Sequence, residues 1–175
     1  MAELIVVTGP PGAGKSTVGR VLADGFDSSA LVVGDDFFGF LARGAIAPWL
    51  PEADGQNEAV LHAAAAAAGR LTERCTVVYD GVVGAWHLAG FLAATALPEL
   101  HYVVLLPPLD LCLHRVATRV GHGFTDAPAA EHMYGEFARA DIDDRHVLRE
   151  PPDAAVTTAS MVRTLVERRS ALYGR

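Results

Sequence analysis

The sequence predicts an α/β fold in which helices cover both faces of a parallel β-sheet. Short β-branched runs alternate along the 175 residues with longer stretches of helical composition, which is the pattern of a parallel sheet. The strand candidates are continuous apolar runs, as expected for strands buried on both faces. There is no internal repeat and no linker long enough to mark a boundary, so residues 1–175 are predicted to form a single domain.

Five strands are predicted from the apolar runs. The first four runs each stop at a glycine, an aspartate or a proline, which are residues that end strands. The fifth run is weaker and follows Pro151 and Pro152. The predicted strands are residues 4–7, 31–33, 76–79, 102–106 and 154–157.

Six helices are predicted in the intervening stretches. The second contains the alanine block 63–68, and since alanine is the best helix former, we interpret this block as a packed helix and not as a linker. Residues 44–55 contain two prolines and two glycines and are predicted to be an irregular loop. The predicted helices are residues 16–25, 56–74, 87–96, 109–120, 127–140 and 160–173.

Composition excludes several classes of protein. The chain is 51% hydrophobic, which argues against disorder. Its net charge of −7 argues against stable nucleic-acid binding, which needs a basic surface. The first residues lack the features of a signal peptide, and no apolar run approaches the ~20 residues of a membrane helix. Neither the cysteines nor the histidines have metal-ligand spacing. A cytoplasmic protein without membrane contacts or a protein-held metal is predicted.

A glycine-rich loop follows the first predicted strand and precedes the first predicted helix. It matches G-x-x-x-x-G-K-[ST] in full and is followed by Thr17. Its glycines allow successive backbone N–H groups to surround an anion, and the helix adds its positive end. Lys15, the only lysine of the chain, is predicted to reach the β- and γ-phosphates of a nucleotide, and Ser16 to bind Mg²⁺. The loop residues are Gly9, Pro10, Pro11, Gly12, Ala13, Gly14, Lys15 and Ser16.

Acidic residues follow two further predicted strands. Asp35 and Asp36 come after the second strand and Asp80 ends the third, so all three lie at the sheet edge where open α/β folds bind ligands. Phosphoryl transfer needs one group to accept the proton of the attacking hydroxyl and another to hold Mg²⁺. We assign these roles to Asp35 and Asp80. For Asp36, capping of the following helix is an equally open alternative.

Three segments together resemble the small P-loop kinases: residues 9–17, 34–38 and 78–81. That group includes shikimate and gluconate kinases, chloramphenicol phosphotransferase, polynucleotide 5′-kinases and nucleoside monophosphate kinases. The resemblance implies the three-layer α/β/α fold of P-loop NTPases, with a five-stranded parallel sheet in the order 2-3-1-4-5. It also implies ATP and Mg²⁺ as cofactors. By position the catalytic base is Asp35, with Asp36 as the second candidate.

The resemblance also implies a small lid at about residues 119–140. Arg115 and Arg119 are four residues apart, hence on one helix face, and precede a Gly-His-Gly break. This arrangement resembles the lid of these kinases, whose arginines close over the phosphates. Arg119, next to the break, is the stronger candidate for catalysis, whereas for Arg115 a surface role is nearly as good an explanation. Residues 157–160 occupy the place of the loop that contacts adenine in related kinases, without its usual Asp-Thr-Ser form.

Aromatic residues follow both acidic strand ends and predict an apolar or ring-bearing acceptor. Few arginines lie between Asp35 and Trp86, which disfavours carboxylate-bearing acceptors. We therefore expect an ATP-dependent kinase that phosphorylates a hydroxyl group of a small metabolite or antibiotic. A nucleoside or nucleotide kinase and a non-catalytic nucleotide-binding switch are the alternatives. The absence of an Asn-Lys-x-Asp motif counts against the switch and favours ATP over GTP. Oligomeric state stays open. The predicted acceptor-site residues are Asp35, Asp36, Phe38, Trp49 and Trp86.

Overall fold

A computed structural model describes residues 3–118 and 126–174 of the chain. Its sheet has the parallel order β2-β3-β1-β4-β5, which confirms the predicted fold class and strand order. A sixth strand pairs antiparallel with the beginning of the fourth. The strands are β1 (Leu4–Thr8), β2 (Ser29–Val33), β3 (Thr76–Asp80), β4 (Glu99–Leu105), β5 (Val147–Leu148) and β6 (Leu172–Gly174).

The helices begin and end within a few residues of the predicted bounds, except the last one, which begins at Ala155 and ends at Glu167 where residues 160–173 were predicted. None of the helices in the described part of the chain is long and apolar enough to cross a membrane. The helices are α1 (Lys15–Asp24), α2 (Asp54–Leu71), α3 (Ala85–Thr95), α4 (Leu109–Thr118), α5 (Ala127–Arg139) and α6 (Ala155–Glu167), and short 3₁₀ helices span Gly34–Phe40, Pro51–Ala53 and Asp144–His146.

An apolar core lies on each face of the sheet. Leu4 and Val6 of β1 point to one face, where α2 and α3 pack, and Ile5 and Val7 point to the other, where α1 and α6 pack. The alanine block 63–68 contributes buried small side chains that let α2 approach the sheet closely. Successive residues of a strand face opposite sides, so continuous apolar runs produce the three-layer arrangement.

The predicted fifth strand is wrong. Residues 154–157 begin α6, with Ala154 at its N-cap, and β5 lies earlier, at Val147–Leu148. Two prolines precede the apolar run, and proline is favoured just ahead of or at the first turn of a helix. The true β5 is two residues long and lies among charged residues, so it has no apolar run to reveal it.

The last helix also ends earlier than predicted. It stops at Glu167, and Leu172–Gly174 form β6 instead of a final helical turn. Arg169 adopts a φ of 55°, a left-handed conformation that terminates the helix. Such a position usually carries glycine, so an arginine there gave the sequence no stop signal.

Candidate active site

The phosphate loop turns sharply between β1 and α1 on three glycines in unusual backbone conformations. Gly9, Gly12 and Gly14 have φ values of 145°, 82° and 94°, which glycine adopts without a steric cost. A Cβ on Gly12 would lie 2.3 Å from the carbonyl oxygen of Cys112, so the loop also packs directly on α4. Helix α1 begins at Lys15, so its first backbone N–H groups, which make no hydrogen bond inside the helix, lie at this loop. The residues present fit a bound polyphosphate.

The Lys15 ammonium lies along the same loop. Its Nζ donates a hydrogen bond to the carbonyl oxygen of Pro10 at 3.0 Å. Lys15 and Pro11 face one cavity, whereas Gly12, Gly14 and Thr17 face another. The phosphate loop therefore separates two cavities and contributes to the wall of each.

The smaller cavity, of about 360 Å³, lies between the phosphate loop and the segment before α6. Thr158 Oγ1 donates to the Pro152 carbonyl at 2.9 Å, which ties the first turn of α6 to the proline segment. Thr158 belongs to residues 157–160, which were expected in a loop against adenine and which the structure places inside α6. The lining residues are Gly12, Ala13, Gly14, Thr17, Val18, Leu105, Arg115, Thr118, Pro151, Pro152, Asp153, Ala155 and Thr158.

Arg115 reaches this cavity from α4. Its guanidinium donates to the Gly12 carbonyl at 3.3 Å and lies 3.7 Å from the exposed carboxylate of Asp153. Arg115 therefore joins the phosphate loop to the opposite wall of the cavity, a position suited to contact with a phosphate. Arg119 lies outside the described residues, so its role in a lid stays a prediction.

The acidic residues meet at the carboxyl edge of the sheet. Asp80, at the end of β3, is level with Val7 of β1 and Val33 of β2, and its side chain is buried. Asp35 lies two residues beyond β2 and is exposed at the wall of the larger cavity.

Tyr79 lies next to both carboxylates. Burial raises the pKa of the Tyr79 phenol above its ordinary value, and the negative charges of Asp35 and Asp80 raise it further. The Tyr79 ring packs directly under Gly34, where an added Cβ would lie 2.3 Å from the phenol oxygen. A neutral phenol therefore lies beneath the turn that carries Asp35.

Asp36 occupies a different environment from Asp35. Val33 holds the N-cap position of the 3₁₀ helix Gly34–Phe40, so Asp36 lies inside the first turn and the capping alternative is wrong. Asp36 is not among the residues that line either cavity. The structure brings Asp35, and not its neighbour, to the larger cavity.

The two residues proposed to bind Mg²⁺ each lie beside the first turns of α1. Ser16 is exposed at the beginning of α1, and the Asp80 Cβ lies within 3.5 Å of where a Cβ on Gly19 would be, so Asp80 packs against the same helix. A hydroxyl and a carboxylate offer the oxygen ligands that Mg²⁺ prefers. Within residues 3–118 and 126–174, no cluster of three or more histidine, cysteine, aspartate or glutamate side chains forms a metal cage.

The larger cavity, of about 610 Å³, lies on the other side of the phosphate loop. Phe38, Trp49 and Trp86, three of the residues predicted for an acceptor site, line this cavity, with Asp35 and Lys15 at the loop end. The lining residues are Pro11, Lys15, Gly34, Asp35, Phe38, Pro48, Trp49, Asn57, Val60, Leu61, Tyr79, Val82, Trp86, His87, Ala129 and Met133.

Helix α5, in the predicted lid region, forms one wall of this cavity through Ala129 and Met133. The Phe137 ring of the same helix packs edge-on against Trp86, with ring centroids 5.4 Å apart. The described part of the predicted lid region therefore contacts the larger cavity.

A buried hydrogen-bond network fixes the segment that carries Trp86. The Val83 N–H donates to Thr8 Oγ1 at 2.8 Å, and the Tyr102 hydroxyl donates to the Val83 carbonyl at 2.7 Å. These bonds hold the turn after β3 to the end of β1 and to the middle of β4. The position of Trp86 is therefore set by side chains that the sequence did not single out.

Sequence reasoning missed several cavity residues. Asn57, His87 and Met133 line the larger cavity from three different helices. None of the three belongs to a motif that stands out in the linear sequence. Only the three-dimensional packing shows that they line the cavity. Pro151 and Pro152, which line the smaller cavity, could by contrast be recognised in the sequence because they interrupt the alternation of strand and helix patterns.

The sequence of this chain is similar to that of a known protein family. The sequence model of the family AAA_33, an AAA domain, matches residues 4–142. The search of curated proteins finds no matching sequence.

Solved structures similar to this chain share its fold over nearly the whole length. The tunicamycin resistance protein of Deinococcus radiodurans is 15% identical, with 95% of this chain and 96% of that chain covered and a TM-score of 0.71. A sugar kinase from Janibacter sp. HTCC2649 is 18% identical, with coverages of 98% and 96% and a TM-score of 0.68. Shikimate kinase from Acinetobacter baumannii is 22% identical, with coverages of 97% and 95% and a TM-score of 0.61.

Proposed function

The chain belongs to the family AAA_33, a P-loop kinase domain, and on that premise we propose that it is an ATP-dependent kinase that phosphorylates a hydroxyl group of a small molecule. The observation that carries the proposal is the placement of the phosphate loop between two cavities. A phosphoryl group bound on this loop would face a nucleotide on one side and an acceptor on the other. Such an arrangement suits in-line transfer, which depends on positioning and on stabilisation of charge.

The smaller cavity is assigned to the nucleotide. The phosphate loop and the beginning of α1 hold the phosphates, and Arg115 adds a positive charge at the Gly12 carbonyl. The proline segment and Thr158 form the wall at which the base would lie. Thermodynamically, the fixed N–H groups need little rearrangement to receive the anion, which favours both binding and transfer.

Lys15 neutralises charge on the phosphates at the boundary of the two cavities. Ser16 and Asp80 are the residues that would hold Mg²⁺, which, when bound, offsets negative charge on the phosphate oxygens. Arg119 is assigned to the lid by resemblance alone.

Asp35 is assigned as the base. In the proposed step the acceptor oxygen forms a bond to the γ-phosphorus, the bond from that phosphorus to the β-bridging oxygen breaks, and ADP leaves. The hydroxyl proton passes to the Asp35 carboxylate. Asp35 supports this role because it lines the acceptor cavity beside the phosphate loop, whereas Asp36 does not.

The acceptor cavity favours a small metabolite or antibiotic over a nucleotide. Its described lining includes aromatic and aliphatic side chains but no arginine, and an acceptor phosphate or carboxylate would need such a group for bidentate binding. Kinases named for a sugar and for shikimate share the fold, which is consistent with a small-molecule acceptor.

A screen for ADP release tests the proposal. The purified chain is incubated with ATP, Mg²⁺ and pools of alcohols, and ADP is measured over a no-acceptor background, with the Lys15→Ala variant as control. Acceptor-dependent ADP release that Lys15→Ala abolishes supports the proposal. Release only with nucleosides or nucleotides would move the assignment to a nucleotide kinase, and no acceptor-dependent release in any pool would contradict the reaction.

A further inference from the structure

The segment that forms much of the wall of the larger cavity is strongly acidic. Residues 34–60 contribute seven of the sixteen residues that line this cavity. The segment contains five acidic side chains and one basic side chain, Arg43, in a chain whose net charge is −7. More than half of the net negative charge therefore lies in this segment. The acidic residues, all of them exposed, are Asp35, Asp36, Glu52, Asp54 and Glu58.

The carboxylates of this segment have no basic partner within the described part of the chain. The ion pairs there join acidic residues elsewhere, such as Glu99, Asp153 and Glu167, to arginines, and none of the pairs includes an acid of residues 34–60. Carboxylates without a paired cation create a negative potential, which a cleft focuses. The larger cavity therefore attracts cations and repels anions.

The charged groups in the wall itself lead to the same preference. Lys15 and Asp35 are the charged side chains in the described lining, and His87 is a further titratable group. Lys15 is assigned to the nucleotide phosphates, whose negative charge exceeds its own positive charge. An ammonium group on an acceptor would then lie in a negative environment, whereas a carboxylate would find no arginine in the described lining to bind it.

Trp86 supplies an aromatic surface that can bind a cation. A Cβ added to Gly84 would lie between 2.3 and 2.4 Å from three ring atoms of Trp86, Cζ2, Cε2 and Cη2, so the six-membered ring of the indole lies flat on Gly84. Trp86 is nevertheless 45% exposed, and Trp49, in the same wall, is 47% exposed. Indole is the best aromatic partner for an ammonium group. A ring that is already held by packing loses little conformational freedom when a ligand binds.

We propose that the acceptor is a cationic amino alcohol, whose protonated amine is bound by a cation–π contact with Trp86 in the negative potential of residues 34–60. The inference rests on the proposed function, because it takes the larger cavity as the acceptor site. Asp35 is assigned to the hydroxyl that is phosphorylated, so the hydroxyl and the amine are recognised in different parts of the cavity. Solubility is the competing explanation for the acidic segment, and it predicts no role for Trp86 in the choice of ligand charge.

Binding of three alcohols that differ in charge tests the proposal. Phenylalaninol carries a protonated amine near neutral pH, 3-phenyl-1-propanol is neutral and 3-phenyllactate is an anion. Each has one phenyl ring and one aliphatic hydroxyl, and affinities are measured by calorimetry without nucleotide. We expect phenylalaninol to bind most tightly and 3-phenyllactate most weakly, with a preference that decreases as salt is added.

Variants without a change of charge separate the indole contact from the general potential. Trp86→Leu keeps an apolar side chain, and we expect it to lower the affinity ratio of phenylalaninol to 3-phenyl-1-propanol roughly 3- to 30-fold. Gly84→Ala displaces the indole without removing it and should lower the ratio in the same direction. Leu50→Ala is the matched control: Leu50 is 43% exposed and follows Trp49 in the chain but does not line the cavity, so the ratio should stay unchanged. Thermal melting checks that each variant folds.

The outcomes for binding and for reaction are read separately. An unchanged ratio in Trp86→Leu, tightest binding of 3-phenyllactate, or no binding of any probe would overturn the inference. ADP release is then measured with ATP and the same alcohols. Binding with the expected preference but without phosphorylation of phenylalaninol would contradict the proposed reaction and leave cation recognition intact. Faster ADP release with 3-phenyl-1-propanol or 3-phenyllactate than with phenylalaninol would overturn the inference and leave the proposed reaction standing.

Discussion

Replacement of Asp35 by asparagine tests the assigned base against a neighbouring control. Asp35 and Asp36 are adjacent, both exposed and both in the 3₁₀ helix Gly34–Phe40. Asp35 lines the acceptor cavity and Asp36 does not. Each Asn substitution keeps the size of the side chain and removes one negative charge, so the two variants share any change in the overall field. Their difference isolates the contact of Asp35 with the acceptor.

The expected magnitude follows from the role. Loss of a general base lowers kcat by roughly 10²–10⁴-fold, which corresponds to about 2.7–5.4 kcal/mol in the activation free energy. Loss of one exposed charge changes such an energy by no more than about 1 kcal/mol. We therefore expect Asp35→Asn to lower kcat by at least roughly 100-fold and Asp36→Asn to stay close to the parent, with ATP affinity unchanged in both.

The assay is steady-state ADP release with the acceptor that the screen identifies, together with equilibrium binding of ATP. A large kcat loss in Asp36→Asn with a nearly silent Asp35→Asn would move the base by one residue. Unchanged kcat in both variants would refute the assignment, because the hydroxyl would then lose its proton elsewhere.

Three further predictions concern the cation, the nucleotide and pH. Asp80→Asn should raise the Mg²⁺ concentration needed for half-maximal activity, and a loss that extra Mg²⁺ does not restore would contradict its role. Arg115→Ala should weaken equilibrium binding of ATP by roughly 3- to 10-fold, and unchanged affinity would make Arg115 a surface residue. His146 is buried, and burial lowers its pKa below the ordinary 6.5. Because the unfolded chain then binds the proton more readily, stability should be full above about pH 6.5 and fall as pH decreases toward the folded-state pKa. Urea unfolding across that range measures the fall, which His146→Asn should flatten; an unchanged slope in the variant would exclude His146 as its cause.

The main strands and most helix bounds could be predicted from the sequence because each depends on local patterns. Leu4–Thr8 and Thr76–Asp80 are apolar runs buried on both faces, and burial of this kind leaves a direct trace in composition. β5 could not be predicted, because its two residues are held by pairing with β4 and not by their own apolar content. β6 follows the positive φ of Arg169, a conformation that arginine does not favour. The sequence therefore contains no sign that the helix ends before β6.

Some residues of the candidate site could likewise be predicted from the sequence, and others could not. The phosphate loop could be predicted because its glycines, its lysine and its strand–helix setting are contiguous, and the resemblance to small P-loop kinases drawn from it is confirmed by the family match. Cavity residues such as Asn57 and Met133 come from α2 and α5, which are distant in sequence. Their meeting depends on how the helices pack on the sheet, which no linear pattern encodes. Assignment of catalytic roles within the site stays a prediction.

The central claim is that the loop around Lys15 holds the phosphoryl group that is transferred. The most direct measurement is acceptor-dependent ADP release by Lys15→Ala, with the melting temperature measured on the same sample. Lys15 Nζ donates to the loop carbonyl of Pro10. Because the proposed role of its charge is to act on the phosphates, the variant is expected to melt close to the parent and to release no ADP above background. Full acceptor-dependent activity in a folded Lys15→Ala protein would contradict the account.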